Sequence, residues 1–328
     1  MAQFRSYQYE FNYRIIKTLV QQSMADGAKI INRTISFDCH RINIKPEFFT
    51  VNNLFNILQQ TSVNAIMAVG MTLVILTSGI DLSVGSLLAL TGAVAASMVG
   101  AEVNALVAVA GALALGAAIG ACTGVIVAKG KVQAFIATLV MMLLLRGVTR
   151  VYTDGSPINT GFSDNADLFG WFGIGRPFGI PTPVWLMIIV FAAAWYMLHH
   201  TRLGRYIYAL GGNEAATRLS GINVDRIKIV VYALCGLLAA LASVIEVARL
   251  SSAQPMAGNG YELDAIAAVV LGGTSLAGGK GRIVGTLIGA LILGFLNNGL
   301  NLLGISSNYQ MIVKAVVILL AVLVDNKK

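Results

Sequence analysis

The fold is decided by residues 54–100, which read LFNILQQTSVNAIMAVGMTLVILTSGIDLSVGSLLALTGAVAASMVG. Two apolar runs, 54–78 and 84–100, flank a short polar interruption. A helix that spans the hydrocarbon core of a bilayer needs about 20 mainly apolar residues, within a range of about 17 to 25. Both runs have that length, so each is a candidate membrane span.

Five further apolar runs continue the pattern along the chain, at 104–128, 184–198, 227–248, 284–303 and 309–324. The run 134–145 is short and spans only if its helix continues past Arg146 towards Tyr152. The run 262–275 is either a half-helix or a tilted span packed among others. The sequence therefore predicts an all-α, polytopic membrane helical bundle with about nine candidate spans.

The composition divides the chain into two parts. Of its 328 residues, 56% are apolar and 12% are charged, which excludes an ordinary soluble protein. Residues 1–50 hold 11 of the 38 Lys, Arg, Asp and Glu residues. We interpret 1–47 as a polar N-terminal segment, disordered or interfacial, with an amphipathic helix around 13–24 as the alternative. The transmembrane domain is predicted at 48–328.

Several classes of function are excluded by pattern. The net charge is +8, but the basic residues are dispersed through connectors, which argues against nucleic-acid binding. Cys39, Cys122 and Cys235 lack metal-ligand spacing, and we expect the last two to be small core residues. No hydrolase, redox or metal signature is present, so we expect no catalysis, cofactor or metal on this chain.

The distribution of cations predicts the orientation, because Lys and Arg are retained in cytoplasmic loops. The connector 199–228 carries five cations and should be cytoplasmic. If 262–275 crosses the membrane, Lys280 and Arg282 also fall inside, so we favour a crossing. Counting the spans back from this connector places the cationic segment 1–47 outside. That position conflicts with the retention of Lys and Arg on the cytoplasmic side.

Two polar stretches stand out between the apolar runs. In the first, 78–85, Asp81 either caps the next helix or, with Ser83, faces a hydrophilic path as broken helices do in transporters. In the second, 211–222, Asn213 is a candidate N-cap and Gly221 a candidate C-cap of a helix of about two turns. Such a helix in a basic loop is suited to docking on a soluble partner.

Glycines mark packing and turns. Four of them lie on one stretch with spacings that predict a tightly packed helix face: Gly111, Gly116, Gly120 and Gly124. The glycine clusters around Lys280 do not match a phosphate-binding loop, because Gly281 follows the lysine where Ser or Thr is required. We predict a tight turn there and no ATP site on this chain.

Amides recur within two spans, and they are the candidate lining of a path for sugar. Gln60 and Asn64 are one helical turn apart, as are Asn297 and Asn301. Amides both donate to and accept from hydroxyl groups, but they also bond neighbouring helices, so both roles remain open. Lys314 and Glu246 lie near predicted outer ends, where snorkelling accounts for them.

From about residue 48 onwards the sequence resembles the sugar-permease family of bacterial ATP-binding-cassette importers. The resemblance rests on NNLFNIL at 52–58, SGIDLSVG at 78–85, the loop 211–221, the segment 254–262 and the glycine clusters of 271–281. It implies a multi-pass protein of the bacterial inner membrane that translocates ribose or a related monosaccharide by alternating access. The implied partners are a second permease copy, a cytoplasmic subunit that carries ATP and Mg, a periplasmic sugar-binding protein and membrane lipid.

The resemblance also assigns ATPase coupling to Glu214, Ala215, Ala216 and Gly221. The match departs from the family motif, since Gly221 follows Glu214 by seven residues instead of six. Relatives are expected to have ten spans, one more than the nine candidates here. Two other classes stay open: an ion-coupled secondary transporter, for which Asp81 and Asp264 are the candidate carboxylates, and a non-transporting membrane scaffold.

Overall fold

The computed structural model describes residues 50–325, and the predictions for 1–47 lie outside them. The helices are α1 (Val51–Leu76), α2 (Val84–Gly100), α3 (Ala105–Ala128), α4 (Ala134–Tyr152), α5 (Asp164–Ile174), α6 (Thr182–His200), α7 (Arg202–Gly212), α8 (Glu214–Leu219), α9 (Val224–Leu250), α10 (Tyr261–Leu271), α11 (Ile283–Leu302) and α12 (Ser307–Asp325). Strands β1 (Ile158–Asn159) and β2 (Ser252–Ala253) pair antiparallel. Each of the nine apolar runs coincides with a helix, which confirms the polytopic helical bundle.

The helices differ in how far they can reach across a membrane. Within residues 50–325, six are long and apolar enough to cross it: α1, α3, α4, α6, α9 and α11. The run at 134–145 does continue past Arg146, which gives α4 its 19 residues. Helix α2 is a shorter apolar helix of 17 residues, and α10, from the run at 262–275, has only 11.

Helix α1 occupies the centre of the bundle. Every residue from Ala65 to Leu76 is buried, and α6, α9, α10 and α11 all pack against the helix. At its start, the Thr50 side chain accepts a hydrogen bond from the backbone N–H of Asn53, an ordinary N-cap. The near-continuous apolar sequence after Val63 is therefore explained by contact with protein on all sides.

The connectors predicted to be cytoplasmic meet at one end of the bundle. The N–H of Gly279 donates to the carbonyl of Leu76 at 3.0 Å, and the Tyr208 hydroxyl donates to the carbonyl of Gly281 at 3.0 Å. At its other end, α10 follows β2, which pairs with β1 in the loop between α4 and α6. Because α6 separates this loop from the cytoplasmic connector 199–228, the orientation predicted from the cations places the loop outside. This arrangement agrees with a crossing at 262–275.

The segment between β2 and α10 has no regular structure over most of its length, and α4 holds it in place. The Arg146 guanidinium donates to the carbonyls of Ala257 at 2.7 Å and Pro255 at 3.2 Å. Next to it, the backbones of Gly258 and Gly85 approach so closely that a Cβ on either would collide with the other's carbonyl oxygen. The starts of α2 and α10 are thereby brought together inside the bundle.

The predicted glycine face of α3 does pack closely. A Cβ on Gly120 would collide with the carbonyl oxygen of Tyr232 on α9, and one on Gly116 with the carbonyl of Gly236. Cys235 is buried as expected, but the expectation that Cys122 is a core residue is wrong, because it is exposed. It lies two residues, about half a turn, from Gly120 and so faces away from α9.

We predict that Gly120→Val lowers the free energy of unfolding by about 1 to 3 kcal/mol, because the added atoms force α3 and α9 apart. Thermal unfolding in detergent measures the effect as a lower Tm. Gly147→Val is the matched control, since a Cβ on Gly147 has no neighbour within 4 Å. Equal Tm values for the two variants would contradict the close packing of α3 on α9.

Candidate functional site

Four of the predicted path residues meet in one cavity. Gln60 and Asn64 of α1 face Asn297 and Asn301 of α11 across a space of about 370 Å³. Helices α10 and α12 and the end of α9 complete its walls. The further polar lining residues are Asn56, Gln59, Thr61, Arg249, Tyr261, Asp264, Gln310 and Lys314. The cavity lies towards the predicted outer end of the bundle, and we call it the outer cavity.

The side-chain amides of the outer cavity differ in whether their oxygens have hydrogen-bond partners. The side-chain oxygens of Asn64 and Asn297 are buried and have no hydrogen-bond partner among residues 50–325. The side-chain oxygen of Asn301 accepts a hydrogen bond from Gln310 at 2.7 Å. Because a buried acceptor without a partner is costly, the two free oxygens favour a ligand or water that donates hydrogen bonds.

Other amides bond helices together, which is the second role that the sequence left open. Asn53 of α1 and Asn298 of α11 exchange two side-chain hydrogen bonds, at 3.0 and 3.2 Å. Gln59 donates to the carbonyl of Gly173 on α5 at 2.8 Å. Amides in the same two helices thus differ in their contacts, and sequence spacing alone does not separate them.

An ion pair forms one wall of the outer cavity. The Lys314 ammonium lies 3.0 and 3.2 Å from the two carboxylate oxygens of Asp264. Snorkelling is therefore the wrong account of Lys314, whose partner comes from another helix. It is also wrong for Glu246, which is buried and accepts a hydrogen bond from the Tyr261 hydroxyl at 3.4 Å.

Asp81 and Ser83 do not line the outer cavity. Both are buried, and one carboxylate oxygen of Asp81 accepts from the Ser83 hydroxyl at 2.6 Å and from its backbone N–H at 2.9 Å. Helix α2 begins after Ser83, so Asp81 closes a turn ahead of the helix instead of capping its first turn. The structure thus separates these two residues from the four amides.

The stretch 211–222 folds largely as predicted. Asn213 is the N-cap of α8, and its side chain accepts from the N–H of Ala216 at 2.9 Å. Gly221 adopts the left-handed φ of 79° just after the helix, as a C-terminal glycine does. Ala215 and Ala216 are exposed, and Leu219 is 88% exposed. Helix α8 thus presents a small apolar surface that includes Leu219, which no motif in the sequence had indicated.

Two cations hold Glu214 in place. Its carboxylate lies 2.8 Å from the Lys228 ammonium and 3.4 Å from the Arg218 guanidinium. The hydrogen bond from Lys228 holds the pKa of the Glu214 carboxyl below its ordinary value. Because Lys228 belongs to α9, this ion pair connects the short helix α8 to a helix that is long enough to cross a membrane.

A second polar cavity of about 950 Å³ opens beside these groups. Its lining residues include Ser78, Gly79, Lys131, Glu214 and Lys228. It lies at the predicted cytoplasmic end, so polar cavities occur at both ends of the bundle. Within residues 50–325, no group of three His, Cys, Asp or Glu side chains is placed to hold a metal ion.

Comparison with known proteins identifies related sequences. The family model described as "Branched-chain amino acid transport system / permease component" matches residues 53–322. The chain is 90% identical over 285 residues to the ribose import permease protein RbsC of Escherichia coli (strain K12), covering 87% of this chain and 89% of that protein.

Two further relatives are also named ribose import permease protein RbsC. The RbsC protein of Haemophilus influenzae is 64% identical over 315 residues, 96% of each chain, and that of Bacillus subtilis is 55% identical over 285 residues, 87% of this chain and 88% of the relative. No solved structure matches the chain.

We predict that Lys228→Met raises the pKa of the Glu214 carboxyl towards its ordinary value near 4.5, because the strongest hydrogen bond to the carboxylate is lost. NMR titration of labelled glutamate carboxyl carbons in nanodiscs measures the change. In the unaltered chain, the stabilisation from this pair is complete above the ordinary pKa and is lost as pH falls through the lowered one. Lys131→Met, a cation of the same cavity, is the control and should leave the midpoint in place. A Glu214 midpoint that Lys228→Met does not move would contradict the ion pair.

Proposed function

The chain belongs to the permease-component family of branched-chain amino acid transport systems, and we propose that it is the transmembrane permease subunit of an ATP-driven importer that translocates ribose or a related monosaccharide. The names of its relatives, ribose import permease proteins, support the substrate. The amide-lined outer cavity supports a polyhydroxylated solute, because amides pair with hydroxyl groups as donor and acceptor.

The function rests most directly on α9, which joins the two functional ends of the bundle. Lys228 near its start pairs with Glu214 of α8, and Arg249 near its end lines the outer cavity. These two residues are 21 positions apart, or about 32 Å along a helix. A rigid helix of that length carries a displacement of α8 to the outer cavity.

The proposed mechanism is alternating access driven from outside this chain. A cytoplasmic partner binds ATP and Mg and docks on α8 through Glu214, Ala215, Ala216 and the segment up to Gly221. ATP binding and hydrolysis then move α8 and rock α9 against α1, which opens the two polar cavities in turn. This chain supplies no chemistry of its own and holds no cofactor.

The proposed assembly is that of a binding-protein-dependent importer. A second copy of this chain completes the translocation path, and a periplasmic sugar-binding protein delivers the sugar at the outer face. The chain is a multi-pass membrane protein, and its membership of an importer family supports the bacterial inner membrane as its location. Within the outer cavity, Gln60, Asn64, Asn297 and Asn301 are the proposed path residues, whereas Asp81 and Ser83 support the break between α1 and α2.

One observation favours a secondary transporter as the second candidate. Asp264 is a carboxylate on the wall of the outer cavity, where a coupling ion or proton could bind. However, the Lys314 ammonium already neutralises it at 3.0 Å, and a Na⁺ site would have to displace that cation. We therefore favour the ATP-driven importer.

The experiment that tests the function is uptake of labelled ribose by cells that lack their own ribose permease. We expect uptake when this chain is supplied with the ATP-binding subunit and the sugar-binding protein, and background uptake when either partner is omitted. Uptake without the ATP-binding subunit would favour the secondary transporter. No uptake with both partners present would favour a scaffold.

We predict that Glu214→Lys weakens stimulated ATP hydrolysis about tenfold, because the new cation repels Lys228 and Arg218 and displaces α8. Reconstituted vesicles containing the ATP-binding subunit provide the assay. Affinity for the sugar-binding protein should stay unchanged, since α8 lies at the opposite end of the bundle. Glu102→Lys, the same change of charge in the exposed turn after α2, is the control for hydrolysis. Normal stimulated hydrolysis in Glu214→Lys would refute docking through α8.

A further inference from the structure

Two polar contacts fasten α12 to the walls of the outer cavity. The Gln310 amide donates to the side-chain oxygen of Asn301 at 2.7 Å, and Lys314 pairs with Asp264. Gln310 and Lys314 are one helical turn apart, so they lie on the same face of α12 and both line the cavity. Of the described helices, α10 and α11 make the main contacts to α12.

Joining two helices by a partly buried ion pair gives little net stabilisation, because the charges lose solvation. The side chains of Lys314 and Asp264 are only 20% and 19% exposed. Two apolar residues of similar volume would join α10 and α12 at least as well, because burying a charge pair costs as much solvation as the attraction returns. Ionisable residues within membrane bundles therefore point to a role in function.

Two other lining residues of the outer cavity have hydrogen-bond acceptors that are not used. The side-chain oxygens of Asn64 and Asn297 are buried acceptors with no partner among residues 50–325. A sugar hydroxyl can donate to either of them and accept from an ammonium or an amide N–H. A neutral polyhydroxylated molecule in the cavity would thus form hydrogen bonds with the Asp264–Lys314 pair and with the two asparagine oxygens.

We propose that Asp264, Lys314 and Gln310 form a hydroxyl-binding wall that exchanges its present contacts for those of the passing sugar. A sugar hydroxyl takes the place of the ion-pair contact by donating to Asp264 and accepting from Lys314, while neighbouring hydroxyls donate to Asn64 and Asn297. Since the paired charges cancel, this wall suits an uncharged solute. The proposal rests on the proposed function and assigns the sugar contacts within it.

The first test compares transport with ATP hydrolysis in vesicles that contain both partner proteins. We expect Asp264→Asn and Lys314→Met each to lower the ribose transported per ATP hydrolysed about tenfold, with stimulated hydrolysis within about twofold of the unaltered chain. Met311→Ala, on α12 but outside the cavity lining, is the control and should transport normally. Unchanged transport per ATP in both variants would overturn the proposal.

A double variant separates sugar binding from simple bracing of α12. Asp264→Leu combined with Lys314→Leu replaces the ion pair by an apolar contact that still joins α10 and α12. A pair that only braces the helices would be replaced successfully, and transport would return. We expect transport to stay low, and its recovery would contradict the proposed sugar contacts.

The second test keeps the ion pair and needs no ATP-binding subunit. Gln310→Cys is introduced after Cys39, Cys122 and Cys235 are replaced by alanine, and its labelling by a small polar maleimide is timed with and without ribose. We expect ribose to slow the labelling of Gln310→Cys severalfold. Met311 is 61% exposed in the unaltered chain, and Met311→Cys should label at the same rate with and without ribose. Equal rates for Gln310→Cys with and without ribose would overturn the proposal. The importer function itself is tested separately, by the uptake experiment described above.

Discussion

Inside a bilayer no water is available to backbone N–H and C=O groups, so every break in a helix must be satisfied by the protein itself. The bundle meets this constraint at the breaks before α2 and before α10. The Ser83 amide donates to the Asp81 carboxylate, and the Thr138 hydroxyl donates to the carbonyl of Ile80 at 3.1 Å. Ahead of α10, Arg146 supplies the donors for two carbonyls. These breaks are thus fixed parts of the fold.

The same constraint explains how a bundle of apolar helices can carry a movement. Close backbone contact between α3 and α9, made possible by Gly116 and Gly120, leaves little space for either helix to bend independently. Helix α9 therefore moves as a unit. Its cytoplasmic end is tied to α8 through Lys228 and Glu214, and its outer end reaches the outer cavity at Arg249. In the proposed mechanism, the energy comes from ATP on a partner. The movement that it causes is a shift of α9 against α1.

Much of this could be predicted from the sequence, because length and hydropathy determine where helices lie in a membrane. The glycine face of α3 and the capped helix α8 were also predictable, since both depend on residues close in sequence. The partner of Lys314 was not, because Asp264 is 50 positions away and only packing brings them together. Likewise, spacing could not distinguish Asn297, which faces the cavity, from Asn298, which bonds α1. Separation along the chain thus limits what the sequence reveals of the site.

In the proposed mechanism, ATP hydrolysis on a partner drives sugar through this chain, and no ion gradient is needed. The most direct measurement is ribose accumulation in vesicles that contain this chain, the ATP-binding subunit and the sugar-binding protein, with ionophores collapsing all ion gradients. The account predicts accumulation when ATP is supplied on the side of the ATP-binding subunit and none with a non-hydrolysable analogue. Accumulation that needs an ion gradient, and proceeds without ATP, would contradict it.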